Sequence, residues 1–76
     1  MIQEHERAVL IVDLPEFDLQ AGDVGTVVHV YNDGAAYEIE FFTLKGHTLD
    51  VVTVEASQVR AVSQRDVLHV RERFVE

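Results

Sequence analysis

From residue 8 to residue 62 the chain alternates short apolar runs with clusters of turn-forming residues. The runs are rich in β-branched and aromatic side chains and follow period two, the signature of strands. Val9–Asp13 reads as a first strand, ended by Leu14-Pro15-Glu16 because proline cannot donate to a ladder. Glu16–Asp23 reads as a loop with Phe17 and Leu19 as alternating apolar anchors. Val24–Tyr31 is the second strand, with Thr26, Val28 and Val30 on one face and Val27, His29 and Tyr31 on the other. Apolar residues at both parities predict a strand covered on both sides. Gly25 predicts a bulge or a close backbone approach.

Asn32-Asp33-Gly34 supplies the positive φ angles of a hairpin turn. In Tyr37–Phe42, Tyr37, Ile39 and Phe41 point inward, while Glu38 and Glu40 face water. After a turn at Lys45-Gly46, Thr48–Val54 is the fourth strand, with Leu49, Val51 and Thr53 opposed to Asp50, Val52 and Val54. Glu55–Gln58 fits one turn of 3₁₀ helix, and Val59–Val62 a fifth strand. Five short strands with a one-turn connector before the last predict an all-β, SH3-like five-stranded barrel over residues 8–62, behind an N-terminal arm of residues 1–7. An OB-like barrel would carry a longer helix between its third and fourth strands.

Residues 63–76 form a C-terminal extension expected to pack on the barrel or on a neighbouring chain. Val67, Val70 and Phe74 fit a helical face, which Ser63 and Asp66 would cap; Leu68, Val70 and Phe74 fit one face of a strand. The β-rich composition favours a strand that adds to a sheet edge.

Composition narrows the class. The chain has 76 residues, 47% of them apolar, and no cysteine, which makes one domain without disulfides or thiolate metal sites. A reducing, cytoplasmic setting fits. The longest apolar run, Ala8–Val12, is far short of the roughly 20 residues of a membrane span. Met1–Arg7 is acidic and lacks the basic start of a secretory signal. The net charge is −8 and uneven: residues 1–59 hold eleven acidic side chains against Arg7 and Lys45, whereas residues 60–76 hold four arginines against Asp66, Glu72 and Glu76. Such a surface repels phosphate backbones, so nucleic-acid binding is not expected. The acids keep a small β-protein soluble and guard its edges, and they also suit a basic protein partner.

Candidate chemistry is sparse. His5, His29, His47 and His69 lack metal-ligand spacing. His29 lies mid-strand, within reach of Glu38 or Glu40 across the hairpin. Glu38 and Glu40 share a strand face roughly 6–7 Å apart, a glycosidase-like separation, but the face is expected to be convex and wet, without a cleft, which reads as a solvated strand face. Gly22-Asp23-x-Gly25 has neither the following helix nor the lysine of a phosphate loop, and its aspartate would repel phosphate. Ser57 and Ser63 have no paired histidine at motif spacing. No catalytic, cofactor or metal residue is therefore expected. Phe17, Leu19, Tyr31, Phe42, Leu68, Val70 and Phe74 lie outside the simplest inward-facing set and are the candidate protein interface. The competing reading folds the 14–21 loop back over Phe17 and Leu19, with the tail covering Tyr31 and Phe42.

The order Leu14-Pro15, Gly22-Asp23-Val24-Gly25-Thr26-Val27-Val28, Tyr31, Asp33-Gly34, Ala36–Phe41, Gly46-x-Thr48 and Gln58-Val59-Arg60 resembles the small bacterial family called domain of unknown function 4926, over roughly residues 8–62. That resemblance implies an SH3-like barrel and assigns no activity. Gly22, Gly25, Val27, Tyr37, Ile39 and Phe41 are also similar to the turn and strands of the SH3-like region in nitrile hydratase β-subunits and their activators, a likeness of fold alone. The expected function is a non-enzymatic protein-interaction module, self-associating as a homo-oligomer or the small partner of another protein. The alternatives are an acidic antitoxin or immunity protein that neutralises a toxin, and an accessory subunit for metalloenzyme maturation resembling those activators.

Overall fold

The computed structural model describes residues 1–73. Five antiparallel strands form one sheet: β1 (Arg7–Leu10), β2 (Val24–Tyr31), β3 (Ala36–Phe42), β4 (Thr48–Glu55) and β5 (Val59–Ala61). Their order is β4-β3-β2-β1-β5, so the last strand returns to pair with the first. This arrangement is all-β and consistent with an SH3-like barrel, although the sheet does not close between β4 and β5. A 3₁₀ turn at Ala56–Gln58 makes the predicted step from β4 to β5. A second, at Pro15–Phe17, opens the loop after β1. Among the described residues no helix is long and apolar enough to cross a membrane.

The core is built from Ala8 and Leu10 of β1, Val27 of β2, Tyr37, Ile39 and Phe41 of β3, Val52 and Val54 of β4, and Val59 of β5. Leu14 and Leu19 from the loop and Ile2 from the arm complete it. The arm is thus part of the barrel: Ile2 N–H donates to Tyr37 Oη at 3.1 Å, beneath the buried ring.

Two irregularities explain apolar residues at both parities. The β2–β3 register shifts between Val27 and His29, which leaves Val28 as an extra residue. A bulge of this kind reverses the alternation. Val27 points inward before it and Val30 packs on the core after it, while Val28 stays 37% exposed. The bulge replaces the expected cover on both sides of β2. Gly25 is the close approach rather than the bulge, facing Phe41 across β3. The β3–β4 register likewise shifts between Phe41 and Phe42, and Leu49 packs on the core at the start of β4.

The tail departs from expectation. Residues 62–73 form neither a strand nor a helix. Val62 N–H donates to Arg7 O at 3.4 Å, after which the chain turns at Ser63–Asp66. No ladder continues from there, because the turn directs the chain off the β5 edge and across the sheet.

Candidate functional site

The tail crosses the outer face of β1. It leaves beside Arg7, on the β5 side, and its far end is held at Asp23, on the β2 side, where Asp23 O accepts from Leu10 N–H at 3.0 Å. The inner face is filled by core, so the crossing lies outside. On that outer face Val9 points away from Ala8 and Leu10, stands outside the core cluster, and is buried.

Both ends of the crossing are fixed by ion pairs. At the near end Arg60 makes a bidentate pair with Asp66, at 2.8 and 3.0 Å, and Asp66 also accepts from Ser63 N–H at 2.7 Å. The Arg60 hydrogen bonds, reinforced by the Ser63 amide, hold the Asp66 carboxyl down at about 2. At the far end Arg71 grips Asp23 through Nε at 2.8 Å and Nη2 at 2.6 Å, and donates to Asp18 O at 3.3 Å. Burial pushes the Asp23 carboxyl up, but the Arg71 hydrogen bonds, the Gln20 amide and the Arg71 and Arg73 charges outweigh it and hold it below the usual value. Arg73 Nε lies 3.3 Å from Asp18 Oδ2. Its Nε and Nη1 are buried without an aligned hydrogen-bond partner among the described residues.

The acceptors are placed by local structure. Asp18 takes a left-handed conformation, φ 56°, to close the 3₁₀ turn, and Leu14 and Leu19 then bridge across the loop. Gly22, at φ 99°, closes the next turn and presents Asp23, whose carboxylate also accepts from Gln20 N–H at 2.8 Å. Between loop and tail lies a shallow hollow of about 260 Å³, lined by Gln20, Ala21, Gly22, Asp23, His69 and Arg71.

Between the two anchors the tail carries unburied apolar side chains. Val67, Leu68 and Val70 are 91, 82 and 77% exposed. Of the predicted interface, then, Leu68 and Val70 are on the surface, and Phe42 is 39% exposed at the end of β3. Leu19 is not an interface residue: the Leu14–Leu19 bridge folds it into the core, where it is 2% exposed. Phe17 packs against the core from the same loop. Tyr31 is half-buried on the outer face, donating to Glu38 Oε1 at 2.6 Å and meeting His29 edge-on at 4.4 Å. Accepting that bond, Glu38 raises the phenol above its usual value. His29 faces Glu38 in register, yet its Nδ1 is directed to Glu4 at 4.0 Å. Phe74 lies outside the described residues. Among the described residues of the predicted set, Leu19 lies in the core while Leu68 and Val70 are exposed. The exposed segment Val67–Val70 and its two anchors form the coherent surface. Val67 and the arginine anchors were missed as site residues; the four arginines concentrated after residue 59 were the available signal.

The sheet edges are blunted. On β4, Val51 N–H is taken by Asp50 Oδ1 and Glu55 N–H by Gln58 Oε1, each at 2.8 Å, so alternate outward amides are already satisfied. β5 is short, only Val59–Ala61. Such devices oppose strand addition. Among the described residues no group of three or more His, Asp or Glu side chains could hold a metal ion.

Comparison with protein-family models matches residues 4–61 to the domain of unknown function (DUF4926). The tail lies beyond the matched span. No curated protein and no solved structure matches the chain.

Proposed function

The chain belongs to the DUF4926 family, which brings no assigned activity, and we propose that it is a non-enzymatic protein-interaction module whose contact surface is the strapped tail. The observation that carries this reading is the exposure of Val67, Leu68 and Val70 on a segment fixed at both ends. Holding a short apolar stretch between two ion pairs reduces the ordering entropy that a partner must overcome, the general advantage of preorganisation. A cluster of exposed apolar side chains on an otherwise acidic surface is the kind of patch that marks a contact site. The blunted edges of β4 and β5 turn the reading away from edge-strand addition and toward this segment.

The test compares tagged wild-type protein with the Leu68→Asp, Val70→Asp double variant in extracts of the native host. Wild-type protein is expected to retain a stoichiometric protein partner, another chain or a second copy of itself, and the variant to lose it while melting at an unchanged temperature. Equal retention by both proteins, or retention of nothing by either, overturns the reading.

A further inference from the structure

We propose that the outer face of β2, β3 and β4 is a second docking surface, and that its occupant is a basic, extended segment of another protein. This face is separate from the strapped tail, which crosses β1, and does not depend on it. Tyr37, Ile39 and Phe41 point into the core, so alternation turns Glu38, Glu40 and Phe42 outward in one row along β3. Val51 of β4 stands in register with Glu40, on the same side. Phe42 and Val51 are exposed, as are Val24 and Val28 of β2. The face therefore offers apolar side chains around two acids.

Both carboxylates are held in place. Glu38 Oε1 accepts from Tyr31 Oη at 2.6 Å, and Glu40 Oε2 accepts from Thr48 Oγ1 at 2.7 Å. Each leaves its second oxygen to accept from an incoming donor. Among the described residues neither glutamate forms an ion pair. Acceptors fixed in advance reduce the ordering that a partner must impose.

Charge selects the occupant. Three of the six basic side chains, Arg60, Arg71 and Arg73, are already engaged by Asp66, Asp23 and Asp18. With a net charge of −8, the chain repels a second copy and nucleic acid, and attracts a basic polypeptide. Spacing selects its conformation. Alternate residues on a strand face lie roughly 6–7 Å apart, and an extended partner repeats at the same distance. Two of its alternate side chains, arginine or lysine, then meet Glu38 and Glu40, and the next, apolar, meets Phe42 and Val51. The blunted edge of β4 directs such a segment to the face rather than to the edge.

The experiment follows the amide NMR spectrum of the isotope-labelled full chain as the blocked peptide Thr-Arg-Thr-Arg-Thr-Val-Thr-Val-Thr is added. Saturable shifts are expected at Glu38, Glu40, Phe42 and Val51, with binding that weakens as salt rises. The Glu38→Gln, Glu40→Gln variant keeps an oxygen for each hydroxyl, so it is expected to melt as wild type and to bind roughly tenfold more weakly. The Glu16→Gln, Glu72→Gln variant loses the same charge at exposed positions off this face and is expected to bind within about twofold of wild type. A peptide with serine in place of valine is expected to bind more weakly than the valine peptide. Equal losses in the two double variants would mean that net charge alone draws the peptide, and would overturn the proposal. So would equal binding of the serine peptide, shifts centred on Val67–Val70, or no saturable shift at millimolar peptide. Shifts of the same face on concentrating the protein alone would make the occupant a second copy and overturn the basic segment.

Discussion

A methyl group placed on Gly25 would lie 2.5 Å from Ile39 Cγ2 and 2.7 Å from Glu40 O. The second neighbour is backbone held in the β2–β3 ladder, so it cannot swing aside. Gly25→Ala is expected to lower stability by about 1–3 kcal/mol, the usual range for overpacking, measured by urea denaturation. Gly22→Ala meets nothing within 4 Å and pays only for its φ of 99°, about 1 kcal/mol. A larger loss at Gly22 than at Gly25 would contradict this account. Tyr37 offers a second residue-scale test. Its hydroxyl accepts from the buried Ile2 amide, so Tyr37→Phe leaves that amide unpaired and is expected to cost about 1–3 kcal/mol by the same measurement. No change would mean that the arm is not seated on the ring in solution. The arm was invisible as core because Met1 and Ile2 are followed by five polar residues, Gln3 to Arg7, and show no strand periodicity. The inward set of Tyr37, Ile39 and Phe41 was legible because unbroken alternation needs no tertiary information.

Elements follow the same division between local and non-local causes. The hairpin at Asn32-Asp33-Gly34 was readable because three residues in succession adopt positive φ, 47, 56 and 101°. The bulge at Val28 was not, since a register shift is a property of two strands and leaves in one strand only mixed parity. The tail was misread as a strand for a related reason. Val67, Leu68 and Val70 have strand-like composition, but Asp66 folds back on Arg60 and directs the chain away from any free edge. At this scale the ion pairs are the testable feature. Arg71 and Asp23 are 27 and 17% exposed, between the surface and buried cases. Arg71→Ala is therefore expected to destabilise the fold by about 1–3 kcal/mol, more than an exposed pair and less than a fully buried one. A loss below a few tenths of a kcal/mol in thermal melts would mean that the strap is not held. Acid gives an independent reading. The Asp66 carboxyl is depressed to about 2 from an ordinary 3.8, so its contribution is complete above 3.8 and is lost as pH falls through about 2. Asp23 is depressed in the same direction. The Ser63 amide, which donates to Asp66, should titrate by NMR with a midpoint near 2; a midpoint at 3.8 would show that the turn is open.

For the molecule as a whole, two electrostatic effects oppose each other. A net charge of −8 on 76 residues makes the folded state repel itself, whereas the Arg60–Asp66 and Arg71–Asp23 pairs hold it together. Their ranges differ. The pairs act at 2.8 and 2.6 Å, well inside the Debye length of about 8 Å at physiological ionic strength, and the second is partly shielded from water. The carboxylates are spread over a particle with principal extents of 35 × 27 × 21 Å, so most of their mutual repulsion acts beyond that length. Added salt therefore removes repulsion faster than it removes attraction. The melting temperature is expected to rise between about 10 mM and about 150 mM sodium chloride, over which the screening length shortens from roughly 30 Å to about 8 Å. The rise should be larger for Arg71→Ala, which makes the chain one charge more negative and has fewer pairs to weaken. A melting temperature that falls with salt in wild type but rises in Arg71→Ala would place the strap, rather than the acidic surface, in control of stability.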